Sequence, residues 1–262
     1  MTRIDRAGWP GPWLIFFLPL ALALVLIGIK FQAPILYYDL VQEDGLLEYA
    51  QFACYAAAGV LCLFAAARLW GRAPAGHFWV VLLLGLGLLL VAGEEISWGE
   101  RLLGYALPQW FAEHNTQREV SLHNLKAVQG KISFLYVVVG LALGLSWRLW
   151  RRPAAWLRLG PAWRSLLELV VPPWSLSLYF LPTALLYGYF IVGFLLALQQ
   201  GTAAGFGQSG LIYWRDQEPA EMLLSLGFLL WAAHTLGQVI QGRRLPRPGA
   251  VPSVLDAGIK QP

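Results

Sequence analysis

The chain has 262 residues, of which 58% are hydrophobic and 13% are charged. A soluble domain carries about 25% charged residues and has little use for apolar runs near about twenty residues long. Composition therefore excludes an ordinary soluble domain and favours an all-α, polytopic membrane protein. The formal charge of +4 does not indicate nucleic-acid binding, because the basic residues lie beside apolar runs rather than on one soluble face.

Six apolar segments qualify as spans of a bilayer, whose hydrocarbon core of about 30 Å needs about twenty helical residues. These spans are residues 13–29, 46–69, 78–101, 132–150, 176–199 and 221–240. The first is expected to be an uncleaved signal anchor, because Arg3 and Arg6 precede it and no small-residue cleavage site follows it. Residues 151–173 are expected to form an interfacial loop. One transmembrane domain, residues 1–244, is then followed by a mobile cytoplasmic tail, residues 245–262.

The basic residues predict the orientation of the spans. With a cytoplasmic N-terminus, the cytoplasmic segments hold more than twice as many Arg and Lys residues as the outer segments, as the positive-inside rule requires. Six spans then return the C-terminus to the cytoplasm. Most acidic residues fall in the outer segments or at the outer helix ends. Side chains that could do chemistry are therefore expected at the outer, periplasmic face.

Two adjacent glutamates interrupt the third span about fifteen apolar residues after its start, which is roughly 22 Å of helix. If the helix continues to Arg101, Glu94 and Glu95 lie below the outer membrane surface, where ionisable groups usually face a polar cavity or a partner. Helix capping does not explain them, since the macrodipole opposes negative charge near a helix C-terminus. A helix would place Glu94, Trp98 and Arg101 on one face, so a structural ion pair with Arg101 is the alternative.

The next polar segment covers residues 113–124 and is expected to be an amphipathic outer-face segment between the third and fourth spans. Read as a helix, it places Asn115, Glu119 and His123 in one stripe. Glu119 and His123 could act as an acid/base pair, because a carboxylate can hold one imidazole tautomer. The alternative is an amphipathic helix on the membrane surface with a solvated polar face.

A divalent metal is a tentative interpretation of the same residues. Glu94 or Glu95 together with Glu119 and His123 would suit Zn²⁺, Fe²⁺ or Mn²⁺, and His114 offers a second imidazole. The sequence contains no strict ligand motif such as H-E-x-x-H. A metal cofactor therefore stays open at this stage.

Acidic residues also stand where the second and sixth spans begin. Those nearest the ends are expected to satisfy free helix amides, and they are Glu43, Asp44, Asp216 and Glu218. Glu48 and Glu221 lie one turn further in and stay open between capping and a functional site. Gln51 could extend the polar face of Glu48.

Two motifs resemble those of a group of bacterial polytopic membrane proteins to which no activity is assigned. The first is Gly-Glu-Glu-Ile-Ser-Trp-Gly-Glu-Arg at residues 93–101, and the second is N-x-Q-x-E-x-x-x-H-N at residues 115–124. Residues 43–48 fit the same resemblance, which covers roughly a third of the chain. With it, we expect a multi-pass protein of the bacterial inner membrane. The several paired histidines of alkaline-ceramidase-like hydrolases are missing.

The first functional hypothesis is a membrane-embedded hydrolase or transferase that acts on a lipid or a lipid-linked substrate. Glu94 or Glu95 would be the base or a metal ligand, Glu119 and His123 the second half of the site, and Arg101 a clamp for anions. The expected substrate-binding residues are Glu48, Gln51, Trp98, Asn115, Asn124 and Glu221.

Two hypotheses without catalysis stay open beside it. A non-catalytic subunit or assembly factor would use its acidic outer surface to bind a basic membrane-protein partner. A proton-coupled transporter would use the glutamates as an outer gate and His234 as a deeper relay. The cytoplasmic halves of the spans hold few polar residues, which counts against the transporter.

Overall fold

A computed structural model describes residues 11–150, 159–208 and 210–242, without the side chains of Arg101 and Gln129. The predicted tail, residues 245–262, lies outside these described residues, as do Arg3 and Arg6. The α-helices are α1 (Pro12–Gln32), α2 (Pro34–Val41), α3 (Leu46–Leu69), α4 (Ala75–Glu95), α5 (Glu100–Leu103), α6 (Gln109–His114), α7 (Gln129–Leu149), α8 (Pro161–Val170), α9 (Ser177–Gln199) and α10 (Gln217–Ile240).

Within the described ranges, six helical segments are long and apolar enough to cross a membrane. They contain α1, α3, α4, α7, α9 and α10, which match the six predicted spans. The predicted all-α, polytopic architecture is confirmed, and the chain is a multi-pass membrane protein. Many large apolar side chains on these helices are exposed, as helices that face lipid require.

Prolines define several helix starts. Pro12, Pro34 and Pro161 each lie in the first turn of a helix, where the missing N–H has no helical partner to lose. Pro34 also forces Ala33 out of the helical region, so α1 and α2 are separate helices. The chain therefore turns at the end of α1 and brings α2 beside the start of α10, where Tyr37 hydrogen-bonds Asp216.

The core is built around α3, which packs between α4 and α10. Small residues let α3 and α4 approach closely: a Cβ on Gly59 would lie 2.7 Å from Leu89 Cγ, and one on Gly85 would lie 3.0 Å from Cys62 Cβ. Because α3 and α4 are antiparallel neighbours, the start of α3 and the end of α4 lie at the same end of the bundle. We call this end the glutamate end.

A second close pair is formed by α7 and α9. A Cβ on Gly140 would lie 2.8 Å from Ala184 Cβ, and one on Gly144 would lie 2.7 Å from Leu181 Cγ. Tyr136 and Tyr187 stack between the same two helices, with ring centroids 4.5 Å apart. Beyond this aromatic pair, towards the glutamate end, residues of both helices line a cavity instead of packing on each other.

Two helices are peripheral to this core. The first, α1, buries only Ile15 and Pro19 among its own residues. The second, α8, falls inside the predicted interfacial loop, so the expectation of a loop is wrong for Pro161–Val170. It buries Leu166 and Leu169 and leaves Trp163 exposed, which is the pattern of an amphipathic interfacial helix. Residues 151–158 of the predicted loop lie outside the described residues.

Candidate functional site

The turn that follows α4 is the first component of the site. Ser97, Trp98 and Gly99 have φ values of 48°, 53° and 80°, so three successive residues are left-handed and the helix cannot continue. The prediction that the third span runs on to Arg101 is therefore wrong, and α4 ends at Glu95. The structure does not describe the Arg101 side chain, so its predicted ion pair and anion contact stay predictions.

The turn is held by hydrogen bonds from its own side chains. Trp98 Nε1 donates to Glu94 Oε1 at 2.6 Å, and Ser97 Oγ donates to Glu119 Oε2 at 2.7 Å. Gly93 makes room for this arrangement, because a Cβ there would lie 3.0 Å from two ring carbons of Trp98. Strained backbone of this kind persists where surrounding contacts over-determine it, and it is common at functional sites.

The second component is a closed loop instead of the predicted amphipathic helix over residues 113–124. Helix α6 ends at His114, and Asn115 and Leu125 form an antiparallel bridge that closes the loop. The Thr116 amide donates to the Asn124 carbonyl at 2.9 Å, and the Lys126 amide to the His114 carbonyl at 3.0 Å. The predicted helical stripe of Asn115, Glu119 and His123 is therefore wrong, because these backbone hydrogen bonds replace those of a helix.

Polar side chains fill the inside of this loop. Asn115 is buried; its Nδ2 donates to the Ser121 carbonyl at 2.9 Å, and its Oδ1 accepts the Gln117 amide at 2.8 Å. Glu119 is 5% exposed and accepts from Ser97, from Ser121 Oγ and from Asn124 Nδ2, each at 2.7 Å. Glu119 is thus a structural centre that fastens the loop to the turn after α4.

Glu94 contacts both the backbone and the imidazole of His123. Its Oε2 accepts the backbone amides of Leu122 and His123 at 2.6 and 3.0 Å and lies 3.2 Å from His123 Nδ1. Together with the bond from Trp98, this carboxylate, 7% exposed, has four donors. The partner of His123 is therefore Glu94 and not Glu119, the residue predicted from the sequence. Because Glu94 is saturated, it positions the imidazole and is not itself a free base.

The charged groups around the loop shift the pKa values of His123 and Glu119. Burial alone would lower the pKa of His123, but the hydrogen bond and charge of Glu94, with the charges of Glu119 and Glu221, outweigh burial and raise it above its usual 6.5. Burial alone would raise the pKa of Glu119, but the hydrogen bonds from Ser97, Ser121 and Asn124 and the charge of His123 lower it. The loop therefore favours an ionised Glu119 beside an imidazole that gains a proton readily.

A cavity of about 720 Å³ lies in front of His123 at the glutamate end. Four carboxyl groups from three spanning helices line it, namely Glu48 of α3, Glu95 of α4, and Glu218 and Glu221 of α10. Glu221 accepts hydrogen bonds from the hydroxyls of Tyr187 and Tyr136, and Glu218 accepts one from Gln51 Nε2 at 3.0 Å. Glu48 also accepts the Asp44 amide at 2.6 Å, just before α3 begins, while it lines the cavity.

Glu95 differs from the other three acids. Within the described part of the chain, its carboxylate has no hydrogen-bond or ion-pair partner, although it lines the cavity. Glu95 is therefore the acid most available to a ligand.

The opposite wall of the cavity is apolar. Ile132 of α7 and Phe190, Ile191, Phe194 and Leu195 of α9 form it. Phe194 and Leu195 are 40% and 55% exposed, and both belong to an apolar span. The cavity thus reaches the exposed apolar surface of α9, on the side where residues of α7 also line it.

The cations near the cavity already have acidic partners. Arg215 lines the cavity, but its Nη2 pairs with Glu43 Oε1 at 2.5 Å. Lys30 bonds both carboxylate oxygens of Asp216, at 2.6 and 2.8 Å, beside the aromatic ring of Tyr213. The expected capping by Glu43 is not seen, because α3 has no side-chain cap, whereas Asp216 accepts the Tyr213 amide at 2.9 Å. Both acids form ion pairs that tie the loops to the start of α10.

The residues tentatively predicted to bind a metal are not grouped for it. Among the described residues, no group of three or more His, Cys, Asp or Glu side chains could hold a metal ion. His114 is exposed, stacks on Trp110 and does not line the cavity. Glu119 is engaged by hydroxyl and amide donors, while Glu95 and His123 face the cavity.

The predicted site residues fall into two layers. Glu48, Glu95, His123, Asn124 and Glu221 line the cavity. The second layer supports them and consists of Gln51, Glu94, Trp98, Asn115 and Glu119. The predicted deeper relay, His234, contacts Gln238 on its own helix at 2.6 Å and does not line the cavity.

Sequence reasoning missed Glu218 as a cavity residue, and it did not single out Tyr136 or Tyr187. Glu218 was expected only to cap a helix, yet it stands three residues before Glu221 and so shares its helix face. The two tyrosines carry hydroxyls within apolar spans, which is a signal that could have found them. Comparison with protein-family models, with curated proteins and with solved structures found no match to this chain.

Proposed function

We propose that this protein is a membrane-embedded hydrolase or transferase whose site lies at the outer, periplasmic face and acts on a lipid or lipid-linked substrate. The observation that carries the proposal is the position of His123, which is held by Glu94 and faces a cavity with both carboxyl and apolar walls. An imidazole fixed by a carboxylate on one nitrogen and open to a cavity on the other is the arrangement of a general base.

The tautomer supports this role. With its Nδ1 hydrogen donated to Glu94, His123 keeps a lone pair on Nε2. Asn124 Nδ2 lies 3.0 Å from this nitrogen, but its two hydrogens also have two oxygen acceptors, Gln117 Oε1 and Glu119 Oε1, the second at 2.7 Å. His123 Nε2 can therefore accept the proton of a water molecule or of a substrate hydroxyl.

The proposed reaction uses His123 and Glu95 on one substrate. A water molecule gives a proton to His123 Nε2 while its oxygen forms the new bond to the electrophilic atom of an ester-type linkage. The bond to the leaving oxygen breaks, and that oxygen takes a proton from Glu95, which enters the reaction as the protonated carboxyl group. The proton on His123 then returns to Glu95 through solvent and restores both groups. In a transferase, the hydroxyl of an acceptor molecule takes the place of water.

The apolar wall supports an amphiphilic substrate. Phe194 and Leu195 belong both to the cavity and to the lipid-facing surface, so a lipid tail could stay in the bilayer while its polar end enters between α7 and α9. A polar end at this depth would meet His123 and Glu95 without leaving the plane of the membrane.

The test is conversion of lipids by the purified protein. Wild type and His123→Gln are reconstituted with a panel of lipids that differ in head group, and lipid products are followed by mass spectrometry. We expect wild type to convert at least one lipid class, and His123→Gln to lose this activity by about a hundredfold or more. Exposed His114→Gln is the matched control. Equal conversion by wild type and His123→Gln, with both variants folded, would contradict the proposal.

A proton-coupled transporter is the second candidate, favoured by the four carboxyl groups that three spanning helices bring to one cavity. Proton flux into proteoliposomes that contain a pH-sensitive dye distinguishes the transporter from the enzyme. Proton flux that is lost in Glu221→Gln, without any lipid conversion, would favour the transporter.

A further inference from the structure

The Gln117 side chain lines the cavity together with His123, and it takes no part in the reaction assigned to His123 and Glu95. Its Oε1 accepts a hydrogen bond from Asn124 Nδ2, and that nitrogen lies 3.0 Å from His123 Nε2. One atom therefore contacts both the Gln117 amide group and the imidazole nitrogen that takes the proton. The Gln117 amide group is thus a near neighbour of the reacting atoms.

The hydrogen-bond network determines which end of the Gln117 amide is free. Glu119 has a lowered pKa and is ionised, so its Oε1 only accepts, and the Asn124 group 2.7 Å away must be the NH₂. The same NH₂ contacts Gln117, so the Gln117 atom at this contact is the amide oxygen. The other atom, Nε2, has no hydrogen-bond partner within the ranges that the structure describes. The free end of the Gln117 amide is therefore a donor.

Gln117 is held in place before any substrate binds. Its backbone amide donates to Asn115 Oδ1 at 2.8 Å, and its side-chain oxygen is held by Asn124. The side chain is half-buried, so Nε2 stays accessible to a ligand in the cavity. Donors that are fixed in advance stabilise negative charge that develops in a transition state, because they need little reorganisation during the reaction.

We propose that Gln117 Nε2 donates a hydrogen bond to the carbonyl oxygen of a carboxylic-ester lipid while water attacks that carbonyl. This inference rests on the proposed function, since it adds a catalytic residue and a substrate class to the same site. As the water oxygen bonds to the carbonyl carbon and its proton passes to His123, the π electrons of the carbonyl move onto its oxygen. Gln117 Nε2 stabilises this charge. The double bond forms again when the leaving oxygen departs with the proton of Glu95.

The neutral donor favours a carboxylic ester over a phosphate diester. A carbonyl oxygen is uncharged before the reaction and becomes negative only during it, so a neutral amide meets its charge when it appears. A phosphate diester is charged throughout, and proteins bind such groups mainly with Arg and Lys. Arg215, which also lines the cavity, is paired with Glu43.

Steady-state kinetics of Gln117 variants test the donor. Gln117→Glu keeps an acceptor for Asn124 but replaces the donor with an oxygen, and Gln117→Met removes the amide without adding charge. Rates are measured on carboxylic-ester and phosphate-diester lipids at a pH above the His123 limb. We expect kcat on carboxylic esters to fall about a hundredfold in both variants with KM nearly unchanged, because the charge develops only in the transition state. The control Gln200→Glu, at an exposed glutamine outside the cavity, should behave like wild type.

A boronic acid tests the donor without turnover. In decylboronic acid the boron atom takes the oxygen of a water molecule, whose proton passes to His123. A tetrahedral, negatively charged centre results, like that of the attacked ester. Protein labelled with ¹⁵N at glutamine is titrated with this probe, and the side-chain signal of Gln117 is identified by its absence in Gln117→Met. We expect its proton signal to move downfield with decylboronic acid and not with decanol, while the Gln200 signal does not move.

Three results would overturn the inference: wild-type kcat in either Gln117 variant, cleavage of phosphate diesters alone, or a Gln117 signal that decylboronic acid does not move. The probe binds without turnover, so the two proposals fail separately. A shifted Gln117 signal in a protein that converts no lipid would support the donor and contradict the enzyme. Ester conversion that is unchanged in both Gln117 variants would support the enzyme and contradict the donor.

Discussion

Replacement of Glu94 by Gln tests whether this carboxylate holds the loop that carries His123. The amide oxygen of Gln can take the place of Oε2 and keep the three donors from Leu122 and His123, but as a neutral acceptor. Its amide nitrogen then faces Trp98 Nε1, so that two donors meet where an acceptor stood.

The expected magnitude follows from these contacts. Hydrogen bonds to charged groups contribute about 1.5–3 kcal/mol and neutral ones about 0.5–1.5 kcal/mol. The three donors at Oε2 therefore lose about 1 kcal/mol each, and the free energy of opening the loop falls by about 3 kcal/mol. This corresponds to roughly hundredfold faster hydrogen exchange at the amides of Leu122 and His123.

Hydrogen–deuterium exchange of the detergent-purified protein, resolved over residues 115–128, is the assay. The neighbouring variant Glu95→Gln is the control, because its carboxylate makes no hydrogen bond among the described residues. It should leave exchange in the loop unchanged. Exchange in Glu94→Gln within threefold of wild type, or the same acceleration in both variants, would refute the reasoning.

The remaining predictions concern pH and the ties to α10. If His123 is the base, activity should rise with pH through a pKa above 6.5, because the base must be neutral and Glu94 favours its protonated form. Glu94→Gln should move this limb to lower pH, and a limb that does not move would contradict the pairing. Lys30→Met removes the ion-pair partner of Asp216, which keeps only its hydrogen bonds from Tyr37 and Tyr213, and should lower the free energy of unfolding by about 2 kcal/mol. Adding Asp216→Asn should restore part of this stability, and no recovery in the double variant would show that the pair is not coupled.

The fold was accessible from the sequence because the bilayer restricts what a long apolar segment can do. Backbone groups in lipid must bond within the segment, so each run near about twenty apolar residues becomes a helix. The spans at 46–69 and 176–199 could therefore be placed within a residue or two of α3 and α9. The third span was placed too long, because the left-handed turn at Ser97 and Trp98 depends on contacts with Glu94 and Glu119.

The site was only partly accessible for the same reason. Charged residues within apolar spans are expensive, so Glu94, Glu95 and Glu221 drew attention by their position alone. Their partners could not be read in the same way. Helical spacing predicted that Glu119 pairs with His123. The segment instead forms a closed loop, in which His123 contacts Glu94.

Composition and apolar length thus determined that this chain crosses a membrane as helices and that its acids are concentrated at certain helix ends, since burial in lipid depends on local sequence. Only the tertiary structure decided that Glu48, Glu95, Glu218 and Glu221 share one cavity with His123. That arrangement depends on the packing of α3, α4 and α10 and on the separation of α7 from α9 beyond Tyr136 and Tyr187. Contacts between residues so distant in the chain leave no periodic pattern in it.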